Sequence, residues 1–185
     1  MSKATVFITD GTEEVECLTT VDILRRSGVD VQLVAVSDKR EILSSHKVLI
    51  TADLAFDEAS YDDSDLLFLP GGMPGTLNLD AHEGLKCLLK RFADEDKYIS
   101  AVCAAPSVLG NLGLLDGKRA TCFPGFEDKL GTATYTAEGV TRDGKIITGR
   151  GLGFSVDLAL ELVKILEGEE KASDMKVRIQ HPDTV

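Results

Sequence analysis

Residues 64–70 read Ser-Asp-Leu-Leu-Phe-Leu-Pro, a short run of apolar side chains bounded by polar and turn-forming residues. An apolar run of this length without alternation is typical of a strand that other elements cover on both faces. Strands of this kind belong to parallel sheets, so the stretch indicates an α/β fold. We therefore expect further strands elsewhere in the chain, together with helices that cover them.

The segments on either side of this stretch alternate between predicted strands and predicted helices. Strands are predicted at residues 4–9, 29–36 and 98–102, and helices at 15–27, 83–94, 104–112 and 154–166. Gly28 follows the first helix and is a residue type that commonly ends helices. Because parallel strands joined by helices form right-handed βαβ units, we predict a mostly parallel sheet with helices on both faces.

Shorter β segments are also predicted. Residues 41–43 and 48–52 are separated by a polar turn and form a candidate hairpin. A second hairpin is predicted around Asp143-Gly144, because Asp-Gly is a strong signal for a tight turn. Residues 119–123 are predicted to be one more β segment.

The length and composition of the chain fit one compact domain. With 185 residues, of which 43% are apolar, the chain can bury a core without disulfide bonds. We therefore expect a single domain over residues 1–185. The four cysteines lie far apart with no histidine at metal-ligand spacing, so we expect reduced thiols and no metal site.

Charge and hydropathy exclude several classes of partner. The chain has 20 Lys and Arg against 31 Asp and Glu, a net charge of −11, and no basic patch interrupts this excess of acids. Such a surface repels phosphate backbones and anionic lipid. No stretch approaches the ~18 apolar residues of a membrane span, and the start of the sequence lacks the features of a secretory signal. We expect a cytoplasmic protein that binds neither nucleic acid nor membranes.

Cys103 is the most informative candidate for chemistry, because it lies where a predicted strand runs directly into a predicted helix. Ala101 and Ala105 match the small positions of a nucleophile elbow, in which tight packing forces the reactive residue out above the sheet. A helix N-terminus favours a thiolate, so we expect a lowered pKa for Cys103 and a nucleophilic sulfur. The alternative is a buried structural thiol, which is common in parallel strands.

A double glycine follows the strand at 64–70, at the edge where open α/β sheets bind ligands. The amides of Gly71 and Gly72 could stabilise negative charge on a substrate that Cys103 attacks, together with the amide of Ala104. Taken alone, the same loop also fits an ordinary turn between a strand and a helix.

Glu16 is the candidate acid/base group. It lies just inside an apolar-periodic helix, so it could point across the sheet edge towards Cys103 and be kept partly protonated by desolvation. Its neighbours Glu13 and Glu14 are explained as acids in the first turn of the helix. Cys17, beside Glu16, is a possible second redox-sensitive thiol.

Two further features carry weaker signals. Residues 149–154 contain a glycine pattern that resembles a dinucleotide fingerprint, but Phe154 replaces its last small residue and no βαβ unit follows, so we do not expect a dinucleotide site. Cys87 and Cys122 are expected to fill the core.

Four segments, taken together in their order and spacing, resemble the ThiJ/PfpI superfamily and its DJ-1-like branch. They are residues 11–16 (GTEEVE), 69–72 (LPGG), 101–106 (AVCAAP) and 150–153 (RGLG). The resemblance implies a flavodoxin-like three-layer α/β sandwich, a homodimer, and an oxidisable elbow cysteine contacted by a protonated glutamate. It makes Cys103 the nucleophile, Glu16 its acid/base partner, and Gly72 and Ala104 the donors of oxyanion amides.

The chain departs from the family pattern at three places. Cys122-Phe123-Pro124 stands where members often have Thr-His-Pro, so histidine-assisted chemistry is not expected. Ala104 stands where the intracellular proteases of the family have histidine, so peptidase activity is not expected. His46 or Lys47 stands where an arginine is often found, which would alter an anion site at the dimer interface.

The residues and the resemblance together predict an enzyme without cofactor or metal that converts reactive α-oxoaldehydes such as methylglyoxal, or their early adducts with amines and thiols, to 2-hydroxy acids. Cys103 would form a hemithioacetal, and Glu16 would move a proton between adjacent carbons. Two alternatives stay open. One is an oxidative-stress sensor or redox-regulated chaperone whose Cys103 is oxidised to sulfinate. The other is a nucleotide-binding protein, in which bound flavin would colour the purified protein.

Overall fold

The computed structural model describes residues 1–184, and strands and helices alternate along most of this length. The strands are β1 (Lys3–Ile8), β2 (Asp30–Ala35), β3 (Glu41–Leu43), β4 (Leu49–Thr51), β5 (Leu54–Ala55), β6 (Leu66–Leu69), β7 (Tyr98–Val102), β8 (Arg119–Ala120), β9 (Thr134–Tyr135), β10 (Val140–Asp143) and β11 (Ile146–Gly149). The helices are α1 (Glu14–Arg26), α2 (Gly75–Ala81), α3 (Glu83–Asp94), α4 (Pro106–Asn111), α5 (Ser155–Glu167) and α6 (Glu169–Arg178).

Seven strands form the central sheet, in the order β10-β11-β7-β6-β1-β2-β5. Neighbouring strands are parallel except for β10 and β11, which form the predicted antiparallel hairpin at one edge. The predicted hairpin of β3 and β4 is also present, outside this sheet. The apolar run at 64–70 contributes β6, the middle strand, and all four of its residues are buried. The prediction of a mostly parallel sheet is confirmed.

The sheet separates two apolar cores, because successive side chains of a strand point to opposite faces. In β1, Val6 and Ile8 pack with α1, α5 and α6, whereas Phe7 packs with α3 and α4 on the other side. In β6, Phe68 belongs to the first core and Leu67 to the second. Helices thus cover both faces, which confirms the predicted three-layer α/β sandwich.

Several elements differ from the sequence-based expectations: strands β5 and β9 were not predicted, and the helix predicted at 104–112 is shortened to α4. The β segment predicted at 119–123 is shortened to β8, which pairs with β9 outside the central sheet. Helices α2 and α6 were not predicted: α2 has seven residues, and only two residues of the strongly charged α6, Ala172 and Met175, are buried. Such helices show little apolar periodicity. Within the described residues, no helix combines the length and the apolar character needed to cross a membrane.

The strand order brings three loops together. Strands β7, β6 and β1 are adjacent and parallel, so their carboxyl ends lie at one edge of the sheet. The residues that follow them are Cys103 after β7, Gly71 and Gly72 after β6, and the turn that leads into α1 after β1. This edge therefore collects the candidate residues that the sequence predicts.

Candidate active site at the sheet edge

Cys103 adopts a backbone conformation that only glycine adopts easily. Its φ is +63°, in the left-handed region, which costs a residue with a side chain roughly 1–2 kcal/mol. The strained peptide is held from both sides: the Cys103 amide donates to the Gly149 carbonyl (3.0 Å), and the Cys103 carbonyl accepts from the Phe123 amide (2.8 Å). The side chain stays partly exposed. This is the sharp strand-to-helix turn that an elbow requires.

Glu16 lies in the first turn of α1 and is only 1% exposed. Its Oε2 accepts a hydrogen bond from the Gly71 amide (2.9 Å), while its buried Oε1 has no hydrogen-bond partner among residues 1–184. Burial raises the pKa of Glu16 to about 7, and the negative charge of Glu13 adds to this rise. Hydrogen bonds with the Gly71 amide and, to a smaller extent, with the Cys103 thiol act in the opposite direction. Glu16 is thus partly protonated near neutral pH, as its sequence position predicts.

Gly71 is the residue that lets the carboxyl group and the thiol approach each other. A Cβ atom at this position would lie 2.6 Å from the Cys103 Cβ and 2.8 Å from Glu16 Oε2. Any side chain there would collide with both groups. The sequence analysis treated the double glycine as a source of oxyanion amides and did not identify this contact between Gly71 and Glu16.

The amides of Gly72 and Ala104 point to the Cys103 sulfur. Hydrogen bonds from both amides lower the pKa of the thiol, although burial and the neighbouring Glu16 raise it by more. Gly72 has a φ of +94°, and a Cβ on it would collide with the Gly11 carbonyl oxygen, so a glycine is required at this close approach between two loops. Both predicted amide donors therefore act on the same sulfur.

The expected lowering of the Cys103 pKa is wrong. Burial, the negative charge of Glu16 and a hydrogen bond with Glu16 together raise the pKa of Cys103 to about 12. Helix α4 begins only at Pro106 and has six residues, so its dipole offers little compensation at the sulfur. The resting site holds a thiol next to a carboxyl group that titrates near neutrality. Glu16 is therefore placed to accept the thiol proton when the sulfur reacts.

The other three cysteines differ in their access to solvent. Cys122 is buried as predicted, whereas Cys87 is exposed, contrary to the prediction that it fills the core. Cys17 is fully buried, and burial together with the charges of Glu13 and Glu16 raises its pKa to about 12. An oxidant can reach the Cys17 sulfur only if α1 and its neighbours open locally, so a redox role for this thiol would require such an opening.

One group of side chains in the described part of the chain could hold a metal ion. Its members are Glu13, Glu14 and His46, with one potential ligand atom from each lying within 4.8 Å of the others. The His46 Nδ1 is 3.1 Å from a Glu14 oxygen and 4.0 Å from a Glu13 oxygen. The sequence did not indicate this group, because the turn between β3 and β4 meets the start of α1 only in the folded chain.

Comparison with known proteins gives one consistent family. Residues 2–165 match the DJ-1/PfpI family. The Parkinson disease protein 7 homolog of Danio rerio is 34% identical over 178 residues, which cover 94% of each chain. The glutathione-independent glyoxalase DJR-1.2 of Caenorhabditis elegans is 32% identical over 165 residues, covering 88% of this chain and 87% of the relative.

Two further comparisons bear on length and fold. Protein DJ-1 homolog B of Arabidopsis thaliana is 39% identical over 165 residues, which are 89% of this chain but only 38% of the relative. The chain thus spans less than half the length of that relative. The structure of oxidized Toxoplasma gondii DJ-1 superimposes with a TM-score of 0.93 at 30% identity and covers 97% of this chain and 98% of that one. This likeness supports the predicted flavodoxin-like fold.

Proposed function

The chain belongs to the DJ-1/PfpI family, and we propose that it is a cofactor-independent glyoxalase or deglycase. It would convert α-oxoaldehydes such as methylglyoxal, or their early adducts on amines and thiols, to 2-hydroxy acids. The observation that carries the proposal is the buried Glu16 carboxyl, with a pKa near 7, beside the partly exposed Cys103 thiol. The relative from Caenorhabditis elegans that is named a glutathione-independent glyoxalase supports the same reaction class.

The first step is addition of the thiol to the aldehyde. The Cys103 proton moves to the Glu16 carboxylate while the sulfur bonds to the aldehyde carbon, and the carbonyl electron pair moves onto oxygen. Gly72 and Ala104 amides, which in the resting site point to the sulfur, would donate to this oxygen. Glu16 then returns the proton to the oxygen, which gives a neutral hemithioacetal.

The second step moves hydrogen between the two carbons of the substrate. Glu16, again a carboxylate, removes the proton from the hemithioacetal carbon and delivers it to the adjacent carbon by way of an enediol. The proton of the hemithioacetal hydroxyl group moves to the neighbouring carbonyl oxygen, so that the first carbon becomes the thioester carbonyl and the second carries the hydroxyl group. The product is a thioester of Cys103. Water hydrolyses the thioester, so that methylglyoxal and one water give lactate and the free thiol, with no external oxidant or reductant.

The pKa of Glu16 suits both roles. A group that gives and takes a proton in successive steps works best when its pKa lies near the working pH. Burial raises the pKa of Glu16 from 4.5 to about 7. An exposed glutamate would hold almost no proton at neutral pH and would be a weak base.

The test is lactate formation from methylglyoxal without glutathione or metal. We expect wild-type turnover, and loss of turnover in Cys103→Ser and in Glu16→Gln with folding intact. Cys87→Ser is the matched control, since this thiol is exposed and lies outside the site. Absence of turnover in fully reduced wild-type protein, or full activity in Cys103→Ser, would contradict the proposal.

A cysteine-based oxidative-stress sensor or redox-regulated chaperone is the second candidate. Two amides and a carboxyl group that holds a proton surround the Cys103 sulfur, and these donors would also stabilise a sulfinate. Glu16→Gln separates the candidates, because it should abolish turnover in an enzyme but only shift peroxide sensitivity in a sensor. The solved relative from Toxoplasma gondii is itself described as oxidized.

We also propose that residues 1–185 act as one domain, that the protein is cytoplasmic and that it forms a homodimer. All four cysteines are free, which fits a reducing compartment. Val15 and Leu18 are large apolar residues that α1 leaves 43% and 41% exposed, and a second copy would cover them. Sedimentation of the purified protein tests the dimer, and a monomer at all concentrations would exclude it.

A further inference from the structure

A shallow apolar depression of about 230 Å³ lies beside the elbow, lined by Phe123, Pro124 and residues 150–154. Phe123 and Leu152 are each 48% exposed, and Phe154 is 38% exposed. Single exposed apolar residues are common on proteins, but three that line one concave surface form an apolar patch that can bind a ligand. No acidic residue is among the described residues that line the depression.

The depression has two walls, the first formed by Phe123 and Pro124 and the second by residues 150–154. The first wall, and the residue that precedes the second, are hydrogen-bonded to the backbone of Cys103. The Phe123 amide donates to the Cys103 carbonyl (2.8 Å), and the Cys103 amide donates to the carbonyl of Gly149, the residue before the second wall (3.0 Å). The walls also pack on each other, since a Cβ on Gly151 would lie 3.3 Å from the Phe123 ring. The depression therefore adjoins the residue whose sulfur would bond to the substrate.

The size of the depression limits what it can hold. An apolar cavity of roughly 150 Å³ is enough to bind benzene, whereas drug-sized ligands need roughly 300 Å³ or more. A depression of about 230 Å³ thus fits one aryl ring or one branched alkyl chain. A methyl group would leave most of it unfilled.

We propose that this depression binds an aryl or branched-alkyl substituent of the aldehyde, with Phe123 as the main specificity-determining residue. The inference rests on the proposed function and narrows its substrate class from small α-oxoaldehydes to those with an apolar substituent. Phenylglyoxal is the simplest probe, because it differs from methylglyoxal only by a ring in place of the methyl group.

The first test compares kcat/KM for phenylglyoxal and methylglyoxal. The ratio should exceed one in the wild type and fall about tenfold in Phe123→Ala, the lower end of the effect of apolar contacts on discrimination. Phe123→Leu should recover part of the ratio. Val177→Ala is the matched control, because Val177 is 56% exposed on α6, away from the elbow.

A second test does not need turnover. Iodoacetanilide and iodoacetamide both alkylate a thiolate with loss of iodide, but only iodoacetanilide carries a ring. In a Cys87→Ser background, the ratio of their rates at Cys103 should fall severalfold when Phe123 becomes Ala. If this ratio falls while neither aldehyde is turned over, the proposed function fails and the aryl site stands.

Turnover of both aldehydes with neither ratio changed by Phe123→Ala would overturn the inference. The same result accompanied by a loss of dimer in sedimentation would assign the apolar surface to a second copy of the chain instead.

Discussion

Replacing Glu16 by Gln should make the protein progressively more stable than the wild type as the pH rises. Glu16 is 1% exposed, and burial is the largest cause of the rise of its pKa from 4.5 to about 7. The folded state therefore binds this proton more tightly than the unfolded chain does. Stability from the protonated group is complete below pH 4.5 and is lost as the pH rises through about 7.

The magnitude follows from the two pKa values. A pKa that rises from 4.5 to about 7 destabilises the ionised wild type by about 3.5 kcal/mol, at roughly 1.4 kcal/mol per pKa unit. About 2.5 kcal/mol of this loss occurs between pH 5 and 8. Gln keeps an oxygen that can accept from the Gly71 amide and carries no charge. Its buried NH₂ group costs about 1–3 kcal/mol if it finds no acceptor, but this cost does not change with pH.

The assay is urea unfolding of both proteins at pH 5, 6, 7 and 8. Glu14→Gln is the matched control on the same helix. Burial acts to raise the pKa of Glu14, but hydrogen bonds from backbone amides and from Ser44 and Ser45 outweigh it and lower the pKa to about 2. Because Glu14 is ionised throughout this range, its variant should differ from the wild type by a nearly constant amount. A constant difference for Glu16→Gln as well would show that Glu16 ionises normally and would remove the basis of its acid/base role.

Three further results are expected. The kcat/KM for methylglyoxal should rise with pH up to about 7, because the carboxylate form of Glu16 accepts the Cys103 proton; a profile that is flat between pH 5 and 8 would contradict this. Gly71→Ala should abolish lactate formation and destabilise the protein by about 1–3 kcal/mol in urea unfolding, because its methyl group would lie 2.6 Å from the Cys103 Cβ; an active, equally stable variant would refute the close contact. In native protein, peptide mapping should find iodoacetamide on Cys87 and more slowly on Cys103, while Cys17 reacts only after unfolding; rapid reaction of native Cys17 would reveal local opening.

Elements with strong local periodicity could be predicted closely. The helix at 83–94 and the strand at 98–102 have the predicted bounds, because one buries an apolar stripe and the other is an apolar segment in the sheet. Helix α6 has no comparable stripe, and its ten residues are held by contacts with α5. Its formation therefore depends on packing that local sequence does not record.

In the candidate site, too, some features follow from the local sequence and others only from the folded structure. Small residues around Cys103 predict the elbow, and the position of Glu16 in an apolar helix predicts a carboxyl group that keeps its proton. The pKa of the thiol could not be predicted in the same way, because burial and the Glu16 charge outweigh the amides and raise it. The hydrogen bond between Gly71 and Glu16 joins residues 55 positions apart in the chain, and the depression beside Phe123 joins two loops in the same way.

Local pattern was sufficient for the parallel α/β sheet, the strand-to-helix turn at Cys103 and the acidic surface, since periodicity, small residues and net charge act over short stretches or over the whole chain. Proton affinities at the site, access to Cys17 and the shape of the apolar depression arise only in the folded protein. They depend on distance and burial among residues that meet because β7, β6 and β1 lie side by side, with Gly71 giving Glu16 and Cys103 the space to approach.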